Sequence, residues 1–278
     1  MRHLKSMIIL QAKHMVSRSE FKFALTLMLV IVTAAFIEVC VRFQGKDVGE
    51  LPSAAAAWIG NADTMQVQSI RILVFFLVFI IGSSVFADNF YSDKKSGILY
   101  SIVTRTSIKT YVASSIIVIF AGAFFVIFVP LALSQLLAFI VFPASATEFV
   151  AFNWPSYMSS ANFESPIFPD LFYNHPYFQN VLFLVNISSW AGIMALLAFA
   201  ISLYTQKSRL IVLCVPTTIV LLTWFILPQN LALFGYLYPT VSTIGRSAAF
   251  FFAAPPIVLA VVFALILLAV ERHRDFML

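Results

Sequence analysis

The amino-acid sequence predicts an all-α polytopic membrane protein with six transmembrane helices, and two observations support this fold class. The 278 residues are 61% hydrophobic and 10% charged, with a mean hydropathy of +0.96, whereas soluble domains are roughly half apolar and one quarter charged. Six apolar stretches also approach or exceed the roughly 20 helical residues that cross a bilayer. A chain this apolar cannot bury its surface against itself, so we expect lipid as its solvent.

The six predicted spans are separated by more polar connections. They lie at residues 23–41, 70–87, 111–142, 181–204, 210–227 and 249–270. The third stretch is longer than a bilayer requires and contains Pro130. Because no group of polar residues suited to a turn interrupts it, we predict one helix, kinked or tilted, that continues past the membrane surface, rather than two spans.

The distribution of lysine and arginine predicts the orientation. With the N-terminus in the cytoplasm, all of the 17 basic residues except Arg42, Lys46, Arg71 and Arg246 fall on cytoplasmic segments, which is the bias of the positive-inside rule. An even number of spans then places both termini in the cytoplasm. We therefore predict a multi-pass protein of a bacterial cell (plasma) membrane, with residues 1–278 forming a single transmembrane domain.

The first 20 residues form a separate feature, predicted to be an amphipathic helix in the membrane interface. One face of the helical wheel carries Leu4, Met7, Ile8, Ala12 and Met15, and the other carries Arg2, Lys5, Ser6, Lys13 and Ser17. Basic amphipathic helices of this kind lie in the interface plane. The alternative is a basic anchor that only enforces topology.

Two longer connections are predicted on the outer face, at residues 42–69 and 143–180. The second contains no lysine or arginine, and its Trp154, Tyr157, Tyr173 and Tyr177 are expected along the interface. It is longer than a simple connection requires. A cap or binding role and an insertion without function both remain open for this extracellular segment.

The sequence lacks the common catalytic and cofactor motifs. It contains no phosphate-binding G-x-x-x-x-G-K-[ST], no H-E-x-x-H and no G-x-S-x-G pattern. We therefore expect no catalytic residue, no metal and no directly bound cofactor. Cys40 and Cys214 fall near opposite membrane faces, so no disulfide is expected between them. Glu38 precedes Arg42 by four residues, which favours an ion pair over a functional intramembrane carboxylate.

Polar uncharged residues recur within the predicted spans, where most should form hydrogen bonds between helices. Asn186, Ser188 and Ser189 are candidates to line a path for an amphipathic substrate. A proton- or ion-coupled carrier would place ionisable groups in midspan. Their absence there suggests that any energy for transport enters elsewhere.

The connection between spans two and three, residues 88–110, carries the most information about function. It reads DNFYSDKKSGILYSIVTRTSIKT and keeps mixed charges where a short turn would suffice. The stretch Phe90-Tyr91-Ser92-Asp93-Lys94-Lys95-Ser96-Gly97-Ile98-Leu99, followed by Thr104-Arg105-Thr106-Ser107, resembles the permease subunits of type-2 ABC transporters, the ABC-2 permease family. The layout of an inner N-terminal helix, six spans and no nucleotide-binding domain resembles that family too.

The resemblance implies a partner and a mechanism. A separate cytosolic ABC ATPase, in two copies and carrying ATP and Mg²⁺, would dock on a coupling helix within residues 88–110, predicted at residues 93–99. Ile98, Leu99 and Ile102 would supply the apolar contact, Asp93, Lys94 and Lys95 would set the orientation, Gly97 would allow close approach, and Ser96 and Arg105 complete the predicted coupling surface. A second permease subunit, identical or related, would complete the pathway.

The apolar, phenylalanine-rich spans favour an amphipathic cargo over an ion or a sugar. Small permeases of this layout resemble those that export bacteriocin-like or other membrane-active peptides, or confer immunity to antimicrobial peptides. We therefore expect peptide export. The alternatives are a lipid, drug or polysaccharide cargo, a non-transporting membrane scaffold or sensor subunit, and an ATP-independent carrier. No nucleic-acid partner is expected.

Overall fold

The computed structural model describes residues 2–61, 65–104, 106–145, 167–205, 208–228, 231–239 and 247–274, and within these ranges the chain forms helices and contains no strand. The α-helices are α1 (Arg2–Ser17), α2 (Ser19–Arg42), α3 (Met65–Ser84), α4 (Asn89–Lys95), α5 (Ile98–Val103), α6 (Ile108–Val141), α7 (Pro169–Asn174), α8 (Pro176–Tyr204), α9 (Arg209–Ile226) and α10 (Ala248–Arg274). Two 3₁₀ turns cover Val48–Glu50 and Leu233–Leu237.

Five helical stretches are long and apolar enough to cross a bilayer, which confirms a polytopic α-helical membrane protein. They are Ser19–Arg42, Ser69–Lys95, Ile108–Val141, Pro176–Tyr204 and Ala248–Arg272. The predicted span at residues 210–227 corresponds to α9, whose apolar part, Arg209–Thr223, is shorter than the other five. A total of six spans therefore stays a prediction.

Helix α8 forms the centre of the bundle and packs against α3, α6, α9 and α10. Its middle turns, including Trp190, Ala191 and Ile193, are almost completely buried. The helix begins at Pro176, five residues before the predicted span. Proline is well suited to this first position because it lacks the amide hydrogen that would have no partner there. Tyr177 in this first turn stacks on Phe139 of α6 with ring centroids 4.8 Å apart.

Helix α6 is one continuous helix with Pro130 inside it, as predicted. It begins after Ser107, whose hydroxyl accepts a hydrogen bond from the Thr110 amide and so caps the first turn. Its 34 residues span roughly 51 Å, against a hydrocarbon core of about 30 Å. The helix therefore extends well beyond a bilayer. Helices α1 and α5 pack against it, and α4 is bonded to it through Tyr111.

Helix α1 turns its apolar face toward the protein rather than toward lipid. Met7, Gln11 and Met15 are buried, and the Gln11 side-chain amide donates to the Ser115 hydroxyl of α6 at 3.0 Å. The apolar face of the predicted pattern thus packs on α6, while the opposite face leaves Ile9 exposed alongside the lysines. The position of this helix in the membrane interface stays a prediction.

Part of the predicted outer connection at residues 42–69 is a buried, non-helical segment. All residues from 52 to 61 are buried, and we call this segment the plug. Its Ala54 and Ala57 pack with Val39, Ala138 and Phe142 at the end of the bundle where α2 and α6 finish. Within the other predicted outer connection, residues 146–166, including Trp154 and Tyr157, lie outside the described residues.

The two ends of the bundle provide a test of the predicted orientation. Ser96 is exposed at the end near α4 and α5, and Val48 is exposed at the plug end. Since both native cysteines are free, they can be replaced by serine before a single cysteine is introduced. We expect an impermeant thiol reagent to label Val48→Cys in intact cells and Ser96→Cys only after permeabilisation. The reverse pattern would contradict the predicted orientation.

Candidate functional site

The segment predicted to couple to an ATPase forms a hairpin of two short helices, α4 and α5. The single helix predicted at residues 93–99 is wrong, because the chain breaks at Ser96 and Gly97. Gly97 adopts φ +76°, a left-handed conformation that favours glycine, and no atom lies within 4 Å of the position of an added Cβ. Gly97 therefore makes the turn of the hairpin, whereas the sequence had suggested that it permits close approach.

The inner face of the hairpin is fixed to α6 by a buried hydrogen-bonded triad. The Tyr111 hydroxyl of α6 donates to the Asp93 carboxylate at 2.7 Å and accepts from the Asn89 side-chain amide at 2.9 Å. Phe90 packs on the Tyr111 ring, and Leu99 is buried. Asp93 and Leu99, both predicted to contact a partner, are therefore committed to contacts within the chain.

The outer face of the hairpin is exposed and mixed in character. Ile98 and Tyr100 retain 51% and 58% of their accessible surface. Lys95 and Ser96 lie exposed beside them, while Lys94 and Ile102 are half-buried. Arg105 lies outside the described residues. The predicted docking surface is thus reduced to the turn and the first residues of α5, with Tyr100 as an aromatic residue that the sequence reasoning missed.

A cluster of alternating charges joins the hairpin to α1, α2 and α9. The Asp88 carboxylate forms ion pairs with Arg18 at 3.0 Å and with Arg209 at 2.8 Å. Arg209 also forms an ion pair with Glu20 at 2.8 Å. Asp88 is only 4% exposed, whereas Arg209 is 43% exposed. The cluster ties the start of α4 to the start of α9 and to the junction of α1 and α2, so these elements are held together at one end of the bundle.

A strained turn brings Asp88 to this cluster. Phe86, between α3 and α4, has φ +57°, which is uncommon for a bulky residue. The Arg18 guanidinium lies 4.9 Å from the Phe86 ring centroid, and the His14 ring meets the same ring edge-on at 5.5 Å. Packing from α1 therefore holds the backbone conformation that turns the chain from α3 into α4.

Among the described residues, Asn186, Ser188 and Ser189 do not form the polar channel that was predicted as a substrate path. Asn186 is buried and donates to the Tyr236 carbonyl at 3.2 Å, which fixes the 3₁₀ turn near α10. Ser188 and Ser189 donate to the carbonyls of Leu184 and Val185, one turn earlier on the same helix. A pocket of about 360 Å³ lies elsewhere, at the plug end, with Cys40, Phe43, Leu51 and Phe142 in its lining.

Comparison with known proteins adds no assignment. The chain matches no family model, no curated protein and no solved structure. Among the described residues, no group of three or more His, Cys, Asp and Glu side chains is arranged to hold a metal ion. The functional assignment therefore depends on the hairpin motif and on its geometry.

Proposed function

We propose that this chain is the transmembrane subunit of an ATP-driven exporter whose energy comes from a separate cytosolic ABC ATPase. Two ATPase subunits bind ATP and Mg²⁺, and a second copy of the chain, or a related chain, completes the pathway. The cargo is an amphipathic molecule, with a membrane-active peptide as the first candidate. Both termini and the α4–α5 hairpin lie in the cytoplasm, where the ATPase can reach them.

The observation that carries this proposal is the two-sided construction of the hairpin. Its outer face presents Ile98 and Tyr100 to the surroundings. Its inner face is bonded to Tyr111 at the start of α6. A force applied to the outer face is therefore delivered to a membrane-spanning helix through buried hydrogen bonds, which is the property a coupling element needs.

The composition of the spans supports the cargo class. The chain contains 30 phenylalanines, and only 10% of its residues are charged. Ions and sugars need charged or hydrogen-bonding groups along their path, whereas an amphipathic peptide can move along apolar surface. This argument favours a peptide or another amphipathic cargo over a small polar solute.

Substitution of the two exposed apolar residues tests the proposed docking. We expect Ile98→Asp combined with Tyr100→Asp to weaken binding of a cytosolic ABC ATPase by more than tenfold, because apolar and aromatic anchors dominate protein interfaces. Binding is measured by co-purification in detergent. ATP-dependent uptake of a fluorescent amphipathic peptide into inverted vesicles should fall in parallel.

Val48→Asp is the matched control, since Val48 is an exposed apolar residue at the opposite end of the bundle. It should leave binding and uptake unchanged at equal membrane abundance. If the double variant also retains full ATPase binding and uptake, the hairpin is a plain connection and the proposal is wrong.

A further inference from the structure

The plug is held by side chains of three long helices that all bond to its main chain. The Gln135 side-chain amide of α6 donates to the Ala54 carbonyl at 2.9 Å, and the Asn180 side-chain amide of α8 donates to the Ala55 carbonyl at 2.9 Å. Arg71 of α3 donates to the Gly60 carbonyl at 3.2 Å. We call these three donors, Arg71, Gln135 and Asn180, the cradle. They bond to main-chain carbonyl groups, which every peptide possesses.

The bundle also supplies acceptors to the plug. The Ala54 amide donates to the Pro143 carbonyl at 2.8 Å, and the Trp58 indole donates to the Leu131 carbonyl of α6 at 3.1 Å. Trp58 is completely buried. The plug is therefore bonded to the surrounding helices through both donors and acceptors, and one large side chain is anchored among small alanines.

Two of the cradle donors are positioned by each other, and the third by an aromatic ring. Asn180 donates to the Gln135 side-chain oxygen at 2.8 Å and accepts from Asn61 of the plug at 2.7 Å. The Arg71 guanidinium lies 5.6 Å from the Tyr238 ring centroid. Burial raises the pKa of the Tyr238 hydroxyl, so Arg71 stacks on a neutral ring. Asn180 and Arg71 are each 2% exposed and Gln135 is half-buried, so two of the three donors are shielded from water.

Such an arrangement exceeds what a connection between α2 and α3 requires. Non-helical backbone is tolerated in a membrane protein only where protein or a water-filled cavity surrounds it. A loop avoids this requirement by running over the surface, as most connections do. Here three spanning helices instead carry polar side chains, two of them buried and one half-buried, whose bonds go to a peptide segment.

We propose that Arg71, Gln135 and Asn180 form a binding site for non-helical peptide main chain, and that the plug occupies this site as an internal ligand. Its three donors bind carbonyl groups, and the surroundings of Trp58 hold one aromatic side chain, so the site accepts peptides with small residues and one aromatic residue. That its natural ligand is an exported peptide rests on the proposed function, whereas the binding of a peptide by the cradle does not.

Emptying the cradle tests the inference directly. In the full chain, residues 53–61 are replaced by a glycine–serine segment of equal length, which lacks the buried Trp58 anchor and so competes only weakly for the cradle. The protein is purified in lipid nanodiscs. A fluorescein-labelled peptide, SAAAAWIGN, is then titrated and its anisotropy measured. We expect binding to the emptied protein and none to the wild type, whose cradle is filled. Combining Gln135→Leu with Asn180→Leu should weaken peptide binding by at least tenfold, since about one order of magnitude corresponds to one lost hydrogen bond.

The control substitution is Ser202→Ala, which removes a buried hydroxyl from the same helix as Asn180 but one that donates to the Phe199 carbonyl. It should leave peptide binding unchanged. An emptied protein that folds and binds no peptide, or binds it equally with the cradle variants, overturns the inference. Neither ATP nor an ATPase takes part, so this result is independent of the docking experiment at the hairpin.

A second measurement keeps the inference testable if the emptied protein does not fold. In the intact chain with both native cysteines replaced by serine, Ala56→Cys reports exposure of the buried plug. Asn180→Leu should raise its labelling rate by an impermeant maleimide at least tenfold, whereas Ser202→Ala should not. Equal rates in both variants would show a fixed structural loop and overturn the inference.

Discussion

Asp88→Asn should be among the most destabilising single substitutions in this protein, lowering the free energy of unfolding by about 3 kcal/mol. The Asp88 carboxylate is 4% exposed and accepts from both Arg18 and Arg209. Its neutralisation leaves the Arg18 guanidinium, 15% exposed, without its anionic partner. Because Arg209 is 43% exposed, water compensates part of its loss, so we expect the lower end of the range of roughly 3–5 kcal/mol for broken buried pairs.

Thermal unfolding of the purified protein in detergent measures this loss. Glu20→Gln is the matched control, because Glu20 belongs to the same cluster but is 36% exposed; such surface pairs contribute about 0–1 kcal/mol. We expect the control to unfold close to the wild-type temperature. Equal, small shifts for both variants would mean that the cluster does not hold this end of the bundle together.

Gly82→Ala should separate α3 from α8 and destabilise the bundle by about 1–3 kcal/mol, the usual cost of overpacking. A Cβ at Gly82 would lie 2.7 Å from the Ala191 carbonyl oxygen and 3.0 Å from the Ala191 Cα. Both are backbone atoms of the central helix, so no rotation of a side chain can relieve the clash. Small residues of this kind let membrane helices approach closely.

Unfolding of Gly82→Ala can be compared with that of Gly49→Ala, where no atom lies within 4 Å of the added Cβ. The control should be neutral within about 0.5 kcal/mol, as is usual for surface substitutions. The cost at Gly82 should rise further with Gly82→Val, since a larger side chain pushes the helices farther apart. Wild-type stability in Gly82→Val would show that the two helices do not pack as closely as described.

The helical architecture could be predicted because it depends on local composition. Apolar length alone located α2, α6 and α10 to within a few residues, and the lack of a turn signal around Pro130 correctly indicated a single α6. The end of α3 was less predictable, because apolar residues continue to Ala87 while Phe86 leaves the helix with a positive φ.

The contacts that build the candidate site could not be predicted, because they join residues distant in sequence. Arg18 and Asp88 are separated by 70 positions. Arg18 was interpreted only as a topology signal, and Asp88 only as part of the mixed charge of its connection. Periodicity could not reveal that Asp93 turns inward to Tyr111 either, since α4 has only two turns. The plug was missed because a run of alanines carries no charge or motif, although the paired polar residues Ser134 and Gln135 within a span were a usable signal.

The continuity of α6 has a mechanical consequence for the whole molecule. Tyr111 near its first turn bonds to the hairpin, and Gln135 near its last turns bonds to the plug. These residues are 24 positions apart, or roughly 36 Å along an unbroken helix. Pro130 lies just before the second contact and leaves one main-chain carbonyl without its usual partner. A tilt of α6 imposed at the hairpin is therefore transmitted to the plug along one continuous helix. This helix bends most easily at Pro130, about one turn before its contact with the plug.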